Sequence, residues 1–260
     1  MKKLGLGVFI GVVLVFSGIA VAKALVFLPA EVAPSGVAVK VPDVAIGKSP
    51  VLEGLEPGTL ERAVFIHYAS GKVTAKAKTP NCYKLYGIKW KTLPVNYVVS
   101  PGVEAVVPGA VFAGNETWDA ATSKELFNNS YALDSSADWD SVSPDGRNEY
   151  SSGNYYEDGV IAVTVLWSGV PIGGKGMQII EYDVMFDTDY IWGNAENSSS
   201  TVMDLQNIAI HESGHGVGLA DVYDLKCSAV TMYGYSGYGE LSKRTLEKPD
   251  ITGLRKLYGF

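Results

Sequence analysis

His211-Glu212-Ser213-Gly214-His215-Gly216-Val217-Gly218-Leu219-Ala220-Asp221 is the stretch from which the rest of the sequence can be read. Asp204 is suited to cap a helix over 205–217, which sets Leu205, Ile208, His211, Glu212 and His215 at helical intervals before Gly216 and Gly218 end it. Residues four apart on a helix rise about 6 Å and share a face, so two imidazoles can converge on one tetrahedral zinc at about 2.0 to 2.1 Å. Glu212 lies one position round, where its carboxylate reaches a water on the metal rather than the metal itself and can take up its proton. Gly218 has no Cβ and can adopt positive φ, so the chain can turn back sharply and bring Asp221 to a third ligand position.

This run resembles the extended zinc signature of the metzincin proteases, in the variant with aspartate as third ligand known from the snapalysin type. Most metzincins carry histidine there; here the one remaining histidine, His67, lies far upstream. Ala229-Val230-Thr231-Met232-Tyr233 is similar to the Met-turn of that clan, whose methionine lies beneath the zinc. Trp90, 94–99, Trp118, 181–192, 204–209 and 250–259 resemble matching stretches of matrixin catalytic domains, so the likeness covers 85–260, best among prokaryotic matrixin-like proteins. The resemblance implies an α+β zincin fold with a twisted, mostly parallel sheet, an active-site helix and a C-terminal helix. It further implies an antiparallel edge strand above the cleft, matched here by 160–167. Along Ile161, Ala162, Val163, Thr164 and Val165 an extended polypeptide substrate would add as a further strand.

Outward from the motif, 94–99, 160–167 and 178–186 read as strands, 106–127 as an amphipathic helical stretch broken near Pro108, and 248–258 as a second helix. Residues 128–154, rich in Ser, Asp, Asn, Tyr and Gly, read as loop with short strands. Its acidic members Asp134, Asp138, Asp140 and Asp145 offer oxygen ligands for calcium, which matrixins usually carry, or form a solvated loop. Sequons at Asn115, Asn128 and Asn197 suggest surface loops. Asp224 is a competing metal ligand with the wrong spacing, and its simpler role is a loop hydrogen bond.

Lys2 and Lys3 precede an apolar run over 4–22 ending in Ala-x-Ala, so 1–24 reads as a signal peptide or an uncleaved membrane anchor. Proline recurs through 25–60 without helical period, as in a linker or pro-segment that packs loosely. Residues 62–68 form a short strand in which His67 is a strand or surface histidine without a metal role. The expected organisation is therefore 1–24 targeting segment, 25–79 extension and 80–260 catalytic domain.

Two cysteines in an exported chain make a Cys82–Cys227 disulfide the simpler reading. The alternative is that Cys82 caps the zinc and holds the enzyme latent, as a pro-segment cysteine does in matrixins; the residues that flank such a cysteine are absent, the sequence being Pro80-Asn81-Cys82-Tyr83-Lys84.

A formal net charge of −7 with no block of like charge excludes nucleic-acid binding through a basic face, and two cysteines exclude a Cys-rich zinc module. The reading is a secreted, monomeric zinc endopeptidase with one catalytic zinc, in contact with a membrane only if its first segment is uncleaved. The alternatives are a catalytically idle protein- or glycan-binding surface module, against which Glu212 speaks, and a secreted zincin acting on something other than polypeptide.

Overall fold

A computed structural model of the chain describes residues 58–70, 81–101, 107–170, 176–198 and 201–260. The targeting segment and most of the proline-rich extension lie outside the described residues. Among the described residues no helix is long and apolar enough to cross a membrane.

The strands are β1 (Leu60–Ala69), β2 (Lys84–Leu85), β3 (Val98–Val99), β4 (Ala132–Leu133), β5 (Glu149–Gly153), β6 (Val160–Gly169), β7 (Gln178–Asp187), β8 (Trp192–Gly193), β9 (Met203–Asp204), β10 (Leu219–Ala220) and β11 (Tyr235–Ser236). The helices are α1 (Val107–Asp119), α2 (Ala195–Ser198), α3 (Leu205–Gly216) and α4 (Lys248–Tyr258). The main sheet has the order β11-β1-β6-β7-β5-β3-β4. Its pairs are parallel except β1 with β6 and β6 with β7. This is the α+β architecture expected from the sequence.

Every residue of β6 is buried, and β7 is nearly so, which explains their near-continuous apolar runs. β1 alternates instead: Ala63, Phe65 and His67 are buried, while Arg62, Val64, Ile66 and Tyr68 are half-buried. Asp204 caps α3 by accepting the backbone N–H of Asn207 at 2.8 Å, and Arg244 fixes the cap through Nε at 2.8 Å. α1 packs across α3, with Trp118 Nε1 donating to the Ile210 carbonyl at 2.8 Å. A Cβ on Gly114 would lie 3.2 Å from the Ile210 nitrogen, so a glycine there lets the two helices approach closely.

Two local expectations change. Over 94–99 only Val98 and Val99 join the sheet as a strand, with Val95 making an isolated bridge to Phe127, because Pro94 begins the segment and cannot donate to a ladder. Asn115 is fully buried within α1, where its Oδ1 accepts from Tyr150 Oη at 3.0 Å and Ser213 Oγ at 2.7 Å. It is a core residue rather than a surface-loop sequon; Asn128 is half-buried and Asn197 exposed.

The expected antiparallel strand above the cleft is β6, but the sheet does not end there. β1 pairs along its free side, from Leu60 opposite Gly169 to Tyr68 opposite Val160. The physical reason is that an apolar alternating segment lies just upstream in the chain and satisfies backbone groups that an edge would leave unpaired.

Candidate metal centre

α3 presents His211 and His215 from successive turns, both buried. Each imidazole is oriented from behind. His211 Nδ1 donates to the Thr231 carbonyl at 2.7 Å, and His215 Nδ1 donates to the Leu219 carbonyl at 3.1 Å. These bonds place the proton on Nδ1 and leave both Nε2 atoms as lone-pair donors on one side. Gly218, at φ +93°, then turns the chain so that a Cβ would collide with the Ile88 carbonyl; the turn carries Asp221 back over the helix.

Asp221 Oδ1 lies 3.1 Å from His211 Nε2 and 3.5 Å from His215 Nε2. Ligand atoms at the corners of a zinc tetrahedron are about 3.3 Å apart when each metal bond is about 2.0 to 2.1 Å. The spacing fits a shared cation. His211 Nε2 and Asp221 Oδ1 are also buried without a hydrogen-bond partner among the described residues, as expected of atoms aimed at a common centre rather than at each other. Tyr223 Oη donates to the other Asp221 oxygen at 3.1 Å and fixes the carboxylate. Burial alone would raise the Asp221 pKa, but His215 and His211 hold it well below the usual carboxylate range.

Met232 is buried under α3, its sulfur set against Gly214, where any Cβ would strike both that sulfur and the Trp118 ring. Asp250, in the first turn of α4, accepts the backbone N–H of Thr231 at 2.9 Å and of Met232 at 3.2 Å. α4 thereby holds the floor of the site and, through the Thr231 carbonyl, the ring of His211. Ser213 Oγ is 2.8 Å from Tyr150 Oη, which ties the helix to β5. Cys82 and Cys227 are joined by a disulfide with Cα atoms 5.2 Å apart, so the Cys82 sulfur is not available to a metal. Asp224 caps the short 3-10 turn Leu225–Cys227 and pairs with Lys226, apart from the ligand group.

Glu212 is fully buried. Its Oε2 accepts from Thr164 Oγ1 at 2.5 Å and its Oε1 accepts from His67 Nδ1 at 3.0 Å. Burial would raise its pKa, yet the His67 hydrogen bond and the neighbouring His211 leave it below the ordinary glutamate value. Neither partner is evident from the sequence, where Thr164 is a position on the expected substrate strand and His67 a histidine apart from the site. Both His67 nitrogens are engaged, Nδ1 by Glu212 and Nε2 by Ser236 Oγ at 3.1 Å and Lys243 Nζ at 3.4 Å, so it offers no free lone pair to a metal. Burial drives the His67 pKa down to about 3, which keeps it neutral. Alternation along β1 was the available signal, since it puts 65 and 67 on one face. Their contact with α3 depends on a pairing with β6 that periodicity cannot specify.

A second acidic group lies across the sheet. Asp138, Asp140 and Glu149, and Asp140, Asp145 and Glu181, each bring carboxylate oxygens within 4.8 Å of one another. Asp183 is fully buried beside them with neither oxygen hydrogen-bonded among the described residues. Burial, then Glu181 and the neighbouring aspartates, push its pKa up to about 9.

Comparison with known proteins follows the same outline. A stretch of 77 residues is 34% identical to macrophage metalloelastase of Oryctolagus cuniculus, covering 30% of this chain and 15% of that protein's length. Residues 166–259 match the matrixin family model, and this segment holds α3, the Gly218 turn, Asp221, Met232 and α4.

Proposed function

We propose that the chain is a zinc endopeptidase of the matrixin kind, with His211, His215 and Asp221 as ligands and Glu212 as general base. The observation that carries this reading is the convergence of His211 Nε2, His215 Nε2 and Asp221 Oδ1 beside a buried glutamate. The matrixin match of the segment that holds these residues supports it. When bound, zinc supplies Lewis acidity toward a water and toward a peptide carbonyl.

The remaining steps belong to the chain. Glu212 takes a proton from the attacking water and returns it to the departing amine, with Thr164 holding Oε2 and His67 holding Oε1 of its carboxylate. Thr231 and Leu219 hold the two imidazoles, and Asp250 and Met232 keep the floor rigid. The substrate class proposed is extended polypeptide; the place along Ile161–Val165 expected for it is filled by β1 in this structure. Export, argued from 1–24, accords with the disulfide. We also propose calcium at the acidic group, because Asp183 is a buried carboxylate without a countercharge.

The test is hydrolysis of a denatured protein substrate by purified, zinc-loaded protein, with and without chelator. Chelator-sensitive cleavage that returns on adding zinc is expected. Stoichiometric zinc binding with no cleavage by any form of the chain would favour the idle binding module.

A further inference from the structure

Lys243 lies in the short 3-10 turn Ser242–Arg244 and is fully buried, although no step of peptide hydrolysis uses it. Its Nζ donates to the Tyr235 carbonyl at 2.6 Å and to Ser236 Oγ, and stands 3.4 Å from His67 Nε2. Among the described residues no carboxylate lies within salt-bridge distance of it. Glu240, Asp221, Glu212 and Asp250 act on it only from farther off, and burial prevails over them, bringing its pKa down to about 8. A buried ammonium without a countercharge costs stability, so the fold alone gives no reason for a lysine here.

The place that Lys243 faces is defined by converging donors. His67 Nδ1 donates to Glu212, so His67 Nε2 is an acceptor, and it receives both the Ser236 hydroxyl at 3.1 Å and the Lys243 ammonium. β1 fills the place along β6 expected for a substrate, so its side chains mark where those of a polypeptide would stand. The position of His67 is then next to the reacting bond, because the same ring touches Glu212. An apolar side chain there would leave an ammonium and a hydroxyl facing hydrocarbon. A neutral acceptor would satisfy the hydrogen bonds and not the charge, whereas a carboxylate satisfies both. Reach separates the two acids: the Nε2 of an imidazole stands three bonds beyond Cβ, as a glutamate carboxylate oxygen does, and an aspartate oxygen stands only two. Unlike the imidazole, a carboxylate has no proton to give Glu212 and so leaves its Oε1 to a water. We propose that Lys243 and Ser236 form a receptor for an acidic side chain, so that the site selects polypeptides with glutamate at the residue beside the scissile bond that His67 marks. This selectivity rests on the peptidase reading, while the receptor itself does not.

The experiment has two arms, both on the full chain. In the first, cut sites in a denatured protein are mapped by mass spectrometry, and peptides differing only at the enriched residue are compared by kcat/KM. Glutamate should exceed glutamine and leucine by about ten-fold or more, the effect of a charge-assisted hydrogen bond, and Lys243→Met should bring the ratio towards one. The second arm needs no turnover. His67→Ala opens the place within the chain itself, and in chelator acetate should raise the melting temperature of this variant where acetamide does not. The unaltered chain, with the place filled, should not distinguish the two, and adding Lys243→Met to His67→Ala should abolish the difference. Cleavage beside leucine or glutamine as fast as beside glutamate would overturn the proposal, as would equal effects of acetate and acetamide on His67→Ala. Acetate-selective stabilisation without hydrolysis by any form of the chain would uphold the receptor and sink the peptidase reading.

Discussion

Glu149 of β5 stands directly opposite Asp183 of β7, so two carboxylates face each other across a parallel pair. Like charges in register destabilise a sheet unless a cation or a proton intervenes. Arg147 reaches Glu149 at 2.9 Å, but Asp183 has no such partner among the described residues. In the absence of a cation the proton does the work. Since the folded Asp183 pKa is about 9 against an ordinary 3.8, the folded state binds the extra proton between those values, and stability falls as pH rises from about 4 to about 9. Urea midpoints in chelator should decline across that range. Calcium should raise the midpoint more at pH 8 than at pH 5, and an equal effect at both would count against the site.

Replacing Glu212 by Gln should leave the zinc content at one per chain and lower peptide hydrolysis by about 100-fold or more, because an amide cannot accept the water's proton. Asp221→Ala should lose zinc under mild chelator, with Asp224→Ala keeping it. Metal analysis after dialysis separates the two.

Gly214→Ala inserts a methyl group where the Met232 sulfur and the Trp118 ring already meet the helix. Overpacking of this kind costs about 1 to 3 kcal/mol. Thermal unfolding should show the loss, and zinc should bind more weakly because α3 is pushed off its floor.

Asp250→Ala removes the acceptor for the Thr231 and Met232 amides at once. Leaving buried donors unpaired costs about 1 to 3 kcal/mol each. The destabilisation should exceed that of Asp250→Asn, which keeps one acceptor oxygen, when both are measured by denaturant melts.

Reduction of Cys82–Cys227 opens a loop with a sequence separation of 145 residues. The chain-entropy account puts the stabilisation lost at about 5 kcal/mol. Melting temperature should drop on reduction, and Cys82→Ser should not raise the activity of the chain.

How much of this was legible in advance follows the range of the interactions. α3, its Asp204 cap, the Gly218 turn and α4 are set by residues within a few positions of one another, and their bounds in the structure fall within a residue or so of the pattern. The convergence of Asp221 with His211 and His215 was readable because a single turn spans it. The hidden parts are long-range. His67 meets Glu212 over 145 positions, and Asn115 meets Ser213 over 98, so nothing local marks either contact. Position 115 looked like a surface sequon because three letters cannot report that the helix face they occupy is turned inward.

The five letters from His211 to His215 answer to four parts of the molecule: Asp221 for the two histidines, the Thr164 hydroxyl for Glu212, the Tyr150 and Asn115 pair for Ser213, and the Met232 sulfur for Gly214. The two middle letters therefore carry information about the sheet and the floor, not about zinc. Grafting the pentapeptide onto a helix of another protein would transfer two ligands and an acid. Ser213 and Gly214 would arrive there as a hydroxyl without acceptors and a gap in the helix surface, the first a cost if buried and the second a loss of helix propensity of about 1 kcal/mol relative to alanine. The motif is thus a fingerprint of one particular neighbourhood, and its loss of meaning outside that neighbourhood is built into its own middle residues.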